Sequence, residues 1–317
     1  MWVYVMRRLL LSIPVLLGIT ILIFVIAHNL PGGPLAMYLD TPTMTHAEIQ
    51  HLTVQLGLNR PLYDQYVSWL GKALRGDFGH SFVDGQPVLH VIGERLGATV
   101  ELMLTAVIVS YGLAFVVGIA SAVMQYSVFD YVMTVLSYAG MAMPVFWLGI
   151  ILMLFFAVDL HWLPTFGMVT PGVPYSLWDN LRHLILPATT LVVYTLAQES
   201  RYVRSSMLEV LQQDFIRTAR AKGLPERKVL YRHALRNALL PVITVMMLDF
   251  AFLVSGALIT ETVFAWPGMG RLFFTSLQQG DYPVVVGIAV LISVMVVLVN
   301  IATDVIYAVV DPRIQYS

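Results

Sequence analysis

The sequence predicts an all-helical membrane protein that crosses the bilayer six times. Three observations carry that expectation. Hydrophobic residues make up 58% of the 317 and charged residues only 12%, with a mean hydropathy of +0.77, whereas soluble domains run near ~25% charged. The apolar residues gather into runs close to the ~20 residues that span a bilayer. The basic residues gather between those runs rather than within them. Lipid offers no partner to an unpaired peptide group, so each run must be helical.

The first span is expected over about residues 9–30, behind Arg7-Arg8. Its apolar run is longer than the core of a cleaved export signal, and no small-x-small site follows Ala27-His28-Asn29. A retained span is therefore expected, and a twin-arginine export signal carries little weight. Residues 31–97 are polar enough for a small extracytoplasmic insertion between the first and second spans. Thr45, with Glu48 three residues on, makes a capping box at a helix start. Leu58-Asn-Arg-Pro61 breaks the chain, residues 62–74 read as an amphipathic helix, and Arg75-Gly-Asp-Phe-Gly79 reads as a turn.

The second span is expected at about 98–124 and the third at about 131–158, the latter kinked at Pro144. The fourth, about 184–202, is the weakest, because Gln198, Glu199 and Arg201 crowd its end. The fifth, about 239–260, is interrupted by Asp249, and the sixth covers about 283–303. No tandem repeat or flexible linker divides the chain. The expected domains are residues 1–30, the insertion 31–97, and a core 98–317 that includes a basic loop at 203–238.

With the N-terminus inside, the inner segments hold 12 Lys and Arg and the outer ones 6, four of those in the long insertion. Short loops set topology and long ones obey the rule poorly, so both termini are expected in the cytoplasm. The net charge of −1 says little about partners, because the charges are segregated. Cysteine is absent, which excludes disulfides and thiolate metal sites. His46 and His51 are wrongly spaced to share a helix face, and no metal site is expected.

Residues 214–241 carry seven Lys and Arg. Leu208, Leu211, Phe215 and Ala219 fall three, four and four apart and are expected to line one helical face. Gly223 fits a helix C-cap, and Pro225 fits the first turn of the next helix. Lys228, Arg232 and Arg236 recur every four residues as a basic stripe. Such a segment either lies against anionic headgroups or presents a helix to a partner. Small residues at Ala219, Ala221 and Gly223 would admit the partner's groove.

This segment resembles the coupling loop of ABC importer permeases, which docks into an ATPase subunit. Further motifs extend the resemblance over nearly the whole chain: Leu56-Gly-Leu-Asn-Arg-Pro-Leu-Tyr-Asp-Gln-Tyr66 with Trp69, Gly76-Asp-Phe-Gly79, Met143-Pro-Val-Phe-Trp-Leu-Gly149, Glu261-Thr-Val-Phe-Ala-Trp-Pro-Gly-Met-Gly270 and Asp311-Pro-Arg313. Together they are similar to the dipeptide/oligopeptide/nickel permease group in its B-type form. The resemblance implies a type I ABC importer permease fold and ATPase docking through Phe215, Arg217, Ala219, Arg220 and Gly223. The general loop pattern is Glu-Ala-Ala, three residues, then Gly. Only Ala219 and Gly223 match it, so no glutamate role is carried over.

Asp249 is the sharpest single residue, because a mid-span carboxylate costs roughly 2.5–3.5 kcal/mol on the insertion scale. It is expected to face either a translocation path or a partner helix. Met143, Pro144 and Phe146 are candidates for lining that path, although span aromatics such as Phe146 and Trp147 also face lipid. Glu261, Trp266 and Gly268 are expected at an outer gate or turn, with Trp266 as an interfacial anchor.

Three function classes compete. An intramembrane enzyme lacks support: no His-Glu-x-x-His, no Gly-x-Ser-Gly and no Gly-Asp pair inside a span occurs. A stand-alone secondary transporter would show inverted repeats and several intramembrane charges. A permease half of an ATP-driven importer fits the basic loop, and the missing nucleotide-binding loop leaves ATP and Mg2+ to partner subunits. No cofactor is expected on this chain. The resemblance implies a second homologous permease, two cytosolic ATPases, an extracytoplasmic solute-binding protein and a place in the cell inner membrane. Di- or oligopeptides are the first expectation for the solute; nickel complexes or oligosaccharides are the alternatives.

Overall fold

The computed structural model describes residues 2–29, 33–35, 45–55 and 57–310, apart from the side chains at 2–5, 34, 46, 240, 244, 247–256 and 304–310. In chain order its helices are α1 (Trp2–Asn29), α2 (His46–Gln55), α3 (Leu62–Ala73), α4 (Val88–Val123), α5 (Val128–Ala142) and α6 (Val145–Met153). There follow α7 (Leu177–Leu211), α8 (Asp214–Ala221), α9 (Glu226–Lys228), α10 (Leu235–Val263), α11 (Met269–Gln279) and α12 (Tyr282–Val310). Among the described residues there is no strand, only an isolated bridge between His80 and Pro87. Among the described residues, three helices contain stretches long and apolar enough to cross a membrane, Met6–Asn29, Val88–Val123 and Tyr282–Thr303, and the bent pair Val128–Ala142 with Val145–Asp159 would make a fourth if it is one span. The chain forms two compact units, residues 2–99 with 267–298 and residues 100–266 with those from 299 onward.

In the first unit, the insertion packs on α1. Thr20 Oγ1 lies 2.9 Å from the Tyr66 hydroxyl, and His28 Nε2 lies 2.9 Å from Gln65 Oε1. Phe24 meets the Tyr66 ring edge-on and the Trp69 ring at a tilt. The capping box forms as the spacing predicts: the Thr45 N–H donates to Glu48 Oε2 at 2.8 Å, which holds that carboxyl below its ordinary range. Asp77 accepts from the Gly79 N–H at 2.9 Å in the predicted turn, where Gly76 and Gly79 both have φ +83°. Helices α4 and α12 touch closely at Gly287, where an added Cβ would lie 2.6 Å from Val88 Cγ1.

The sequence reading missed Asp281, which joins parts of this unit that are far apart in sequence. Buried at the start of α12, it accepts from the Ser81 hydroxyl and, at 3.0 Å, from the Phe82 N–H. Thr99 Oγ1 accepts from the Met269 N–H at 2.7 Å and satisfies the first turn of α11.

In the second unit, α7 packs against α5, α6 and α10. Gly118 of α4 meets α7 so closely that a Cβ would lie 2.6 Å from Val203 Cβ. Small residues give membrane helices this kind of approach, because backbone packing replaces the hydrophobic drive that lipid cannot supply. Ser206 Oγ donates to the Ala238 carbonyl at 2.7 Å, and Ser137 and Ser200 hydroxyls lie 3.3 Å apart.

Two expectations are corrected here. The third span is not one kinked helix: α5 and α6 meet at 102°. Met143 is extended (φ −82°, ψ 126°) and Pro144 caps α6, because proline drives the preceding residue out of the helical region. The expected fourth span, 184–202, lies within α7, which runs for 35 residues. Its polar Thr195, Glu199, Ser200 and Ser206 are buried within the protein. Hydropathy measures affinity for lipid, so a helix that turns polar residues toward other helices scores poorly.

Candidate functional site

The basic segment begins where α7 ends. Gln213 is extended (φ −71°, ψ 149°) and starts α8. This break overturns the single helical face predicted for Leu208, Leu211, Phe215 and Ala219. On α8 the buried pair is Ile216 and Ala219, packed with Val203, Met207, Val229 and Ala234. The prediction had the helical period right but carried the phase of α7 across a break, so it missed Ile216. Phe215 is 44% exposed.

Helix α8 ends as the Gly223 reading requires. The Leu224 N–H reaches the Ala219 carbonyl at 3.4 Å and the Gly223 N–H reaches Arg220 at 2.9 Å, with Gly223 at φ +76°. These are the two bonds of a Schellman cap, and the left-handed residue at its centre is the reason for glycine. Arg220 then bridges the turn to Glu226, with Nη2 2.6 Å from Oε1 and Nε 3.2 Å from Oε2. That pairing holds the Glu226 carboxyl below its ordinary value.

The outcome is a short helix with two faces. Ile216 and Ala219 fix it to the core, so Ala219 is unavailable to a partner. Phe215, Arg217, Arg220 and Gly223 remain exposed. The basic stripe beyond it does not keep α-helical register, because residues Val229–Ala234 form a π turn. The wider turn takes Lys228, Arg232 and Arg236 out of a single α-helical line, although all three are exposed.

The other predicted site residues lie elsewhere in the fold. Met143 is half-buried, Pro144 is exposed, and Phe146 and Trp147 are about half exposed at 49% and 47%. Gly149, one turn beyond Phe146, packs against Phe264, whose ring would be 3.1 Å from an added Cβ. The break at Pro144 is thus followed by a helix seated on the 261–266 turn. In that turn Trp266 is fully buried, which overturns its role as an interfacial anchor. The Trp266 N–H donates to the Glu261 carbonyl at 2.8 Å, Ala265 takes φ +49°, and Glu261 is itself fully buried. Gly268 is buried and starts α11. The side chain of Asp249 and the motif 311–313 lie outside the described residues.

Sequence reasoning also passed over an ion pair whose carboxylate is buried and whose guanidinium is partly exposed. Asp130, at the start of α5, pairs with Arg204 of α7. The signal was present, since Asp130 and Arg204 are charges placed at the ends of two apolar runs.

Family comparison matches residues 114–316 to the "Binding-protein-dependent transport system inner membrane component" and residues 1–103 to the N-terminal part of the same kind of component. The oligopeptide transport system permease protein AppB of Bacillus subtilis is 46% identical over 314 residues, covering 99% of each chain. The dipeptide transport system permease protein DppB of Escherichia coli K12 is 39% identical, again covering 99% of each. Among solved structures, an inward-facing MetNI methionine ABC transporter chain superposes with a TM-score of 0.57 at 16% identity, over 70% of this chain and 97% of that one. That likeness is one of fold.

Proposed function

The chain belongs to the inner membrane components of binding-protein-dependent transport systems, and we propose that it is a permease subunit of an ATP-driven importer of di- or oligopeptides. The observation that carries this reading is that permeases named for oligopeptide and dipeptide transport align with it end to end. The chain is a transport subunit, without chemistry of its own.

In this reading the chain crosses the inner membrane six times with both termini in the cytoplasm. Residues 31–97 face the other side, where a solute-binding protein delivers the peptide. A second, homologous permease supplies the other wall of the path. Met143, Pro144, Phe146 and Asp249 line this half of it, and Glu261, Trp266 and Gly268 shape its outer end. Two ATPase subunits hold ATP and Mg2+ and dock on Phe215, Arg217, Arg220 and Gly223. Ala219 serves this surface from behind, by locking α8 to the core. A short helix fixed on one side and free on the other passes movement inward, because a close-packed interior transmits displacement rather than absorbing it.

Co-purification with the neighbouring gene products tests the proposal, comparing wild type, Gly223→Asp and Gly223→Asn. Asparagine tolerates the left-handed conformation and should keep the ATPases. Aspartate adds charge at the contact and should lose them while keeping the second permease. If no ATPase ever accompanies the wild type, the importer reading fails.

A further inference from the structure

Two arginines line one open cavity of about 500 Å³ between α5 and α7, and they differ in how their charge is met. Arg204 is neutralised by Asp130. Among the described residues Arg201 meets only neutral groups. Its Nη2 donates to the Tyr138 hydroxyl at 3.1 Å, its Nη1 approaches Met141 Sδ at 3.4 Å, and its guanidinium lies 4.2 Å from the Tyr138 ring centroid. These contacts fix the direction of the guanidinium without cancelling its charge.

We infer that this cavity binds the phosphate of an anionic phospholipid. Oxygens of a phosphodiester match the planar fork of a guanidinium. The surroundings fit a lipid rather than a dissolved anion. Tyr138 and Tyr202, which line the cavity, are 56% and 48% exposed, and tyrosines of this kind collect at headgroup depth. Basic pockets between helices at that depth take anionic headgroups. The inference requires that α5 and α7 meet the membrane surface here and is independent of which solute is carried.

The test uses the full-length chain in nanodiscs of mixed phosphatidylglycerol and phosphatidylcholine, released and counted by native mass spectrometry. Wild type should retain phosphatidylglycerol in preference to phosphatidylcholine. Arg201→Gln should weaken that preference about fivefold, the equivalent of ~1 kcal/mol for one basic residue near a membrane surface, and Arg201→Lys should restore part of it. An unchanged preference in Arg201→Gln overturns the inference. Complete displacement of the retained lipid by millimolar inorganic phosphate overturns it too, by reassigning the site to a soluble anion. Should Arg201→Gln not be recovered as folded protein, Tyr138→Phe decides. That variant keeps the ring but frees the guanidinium, so a reduced preference supports the lipid site and an unchanged one overturns it.

Discussion

Arg204 holds Asp130 through two hydrogen bonds, Nε to Oδ1 at 2.6 Å and Nη2 to Oδ2 at 2.7 Å. The carboxylate is buried, and it also accepts from the Tyr126 N–H at 3.0 Å. Tyr126 sits at φ +65°, an unfavourable conformation for a bulky residue. One side chain therefore ties α7 to the start of α5 and stabilises the strained turn that precedes it.

Asp130→Asn is accordingly expected to destabilise the chain by about 2–4 kcal/mol, since it leaves the Arg204 charge without its partner. The double variant Asp130→Asn with Arg204→Gln should cost less than the sum of the two single variants. Thermal unfolding of the detergent-purified proteins measures this. Simple additivity would mean the two residues act independently.

At Gly118 the expectation is steric. An alanine methyl would meet Val203 Cβ at 2.6 Å and the Ser200 carbonyl oxygen at 2.7 Å, so α4 must move away from α7. Overpacking of this kind costs typically ~1–3 kcal/mol. Combining Gly118→Ala with Val203→Ala removes the contact with Val203 Cγ1 at 2.7 Å but keeps those with Val203 Cβ and the Ser200 carbonyl, so it should recover only a small part of that loss. The same melting experiment shows whether it does, and full recovery would mean that Cγ1 is the only contact that matters.

Adjacent residues on α8 should separate stability from docking. Ile216 is fully buried, and Ile216→Ala is expected to cost about 2–5 kcal/mol. Phe215→Asp changes an exposed side chain, so stability should shift by no more than about 0.5 kcal/mol. In a pull-down with the ATPase subunits, Phe215→Asp should abolish capture although the chain melts normally. Normal capture by Phe215→Asp would remove Phe215 from the docking surface.

The turn around Gly223 should respond to acid. Arg220 lowers the Glu226 carboxyl below its ordinary value of 4.5. A depressed carboxyl stabilises the folded turn above that ordinary value and ceases to do so as pH falls through the depressed one. Amide exchange at Gly223 and Leu224 should therefore gain protection as pH rises through that window, after correction for the intrinsic exchange rate. Glu226→Gln should flatten the response. Both side chains of the pair are about half exposed, so the effect is local, and added salt should weaken it.

Local chemistry decided much of what the sequence alone determined. Apolar run length marked α1, α4 and α12, because crossing lipid sets a length and forbids charge whatever the neighbouring helices do. The Thr45–Glu48 box, the Asp77 turn and the Gly223 cap were legible because each closes within a few residues. Tertiary structure decided which face of each helix is buried. The chain breaks at Gln213 and Pro144, and after a break the phase of the preceding helix no longer predicts the next. That is why Ile216 replaces Phe215 in the core and why one expected span became two helices at 102°. Trp266 looked interfacial by residue type and is buried, and α7 looked weakly apolar although its Thr195, Glu199, Ser200 and Ser206 are buried against other helices. Residue type and hydropathy describe what a side chain does against lipid or water, and only the packed structure shows which side chains meet neither.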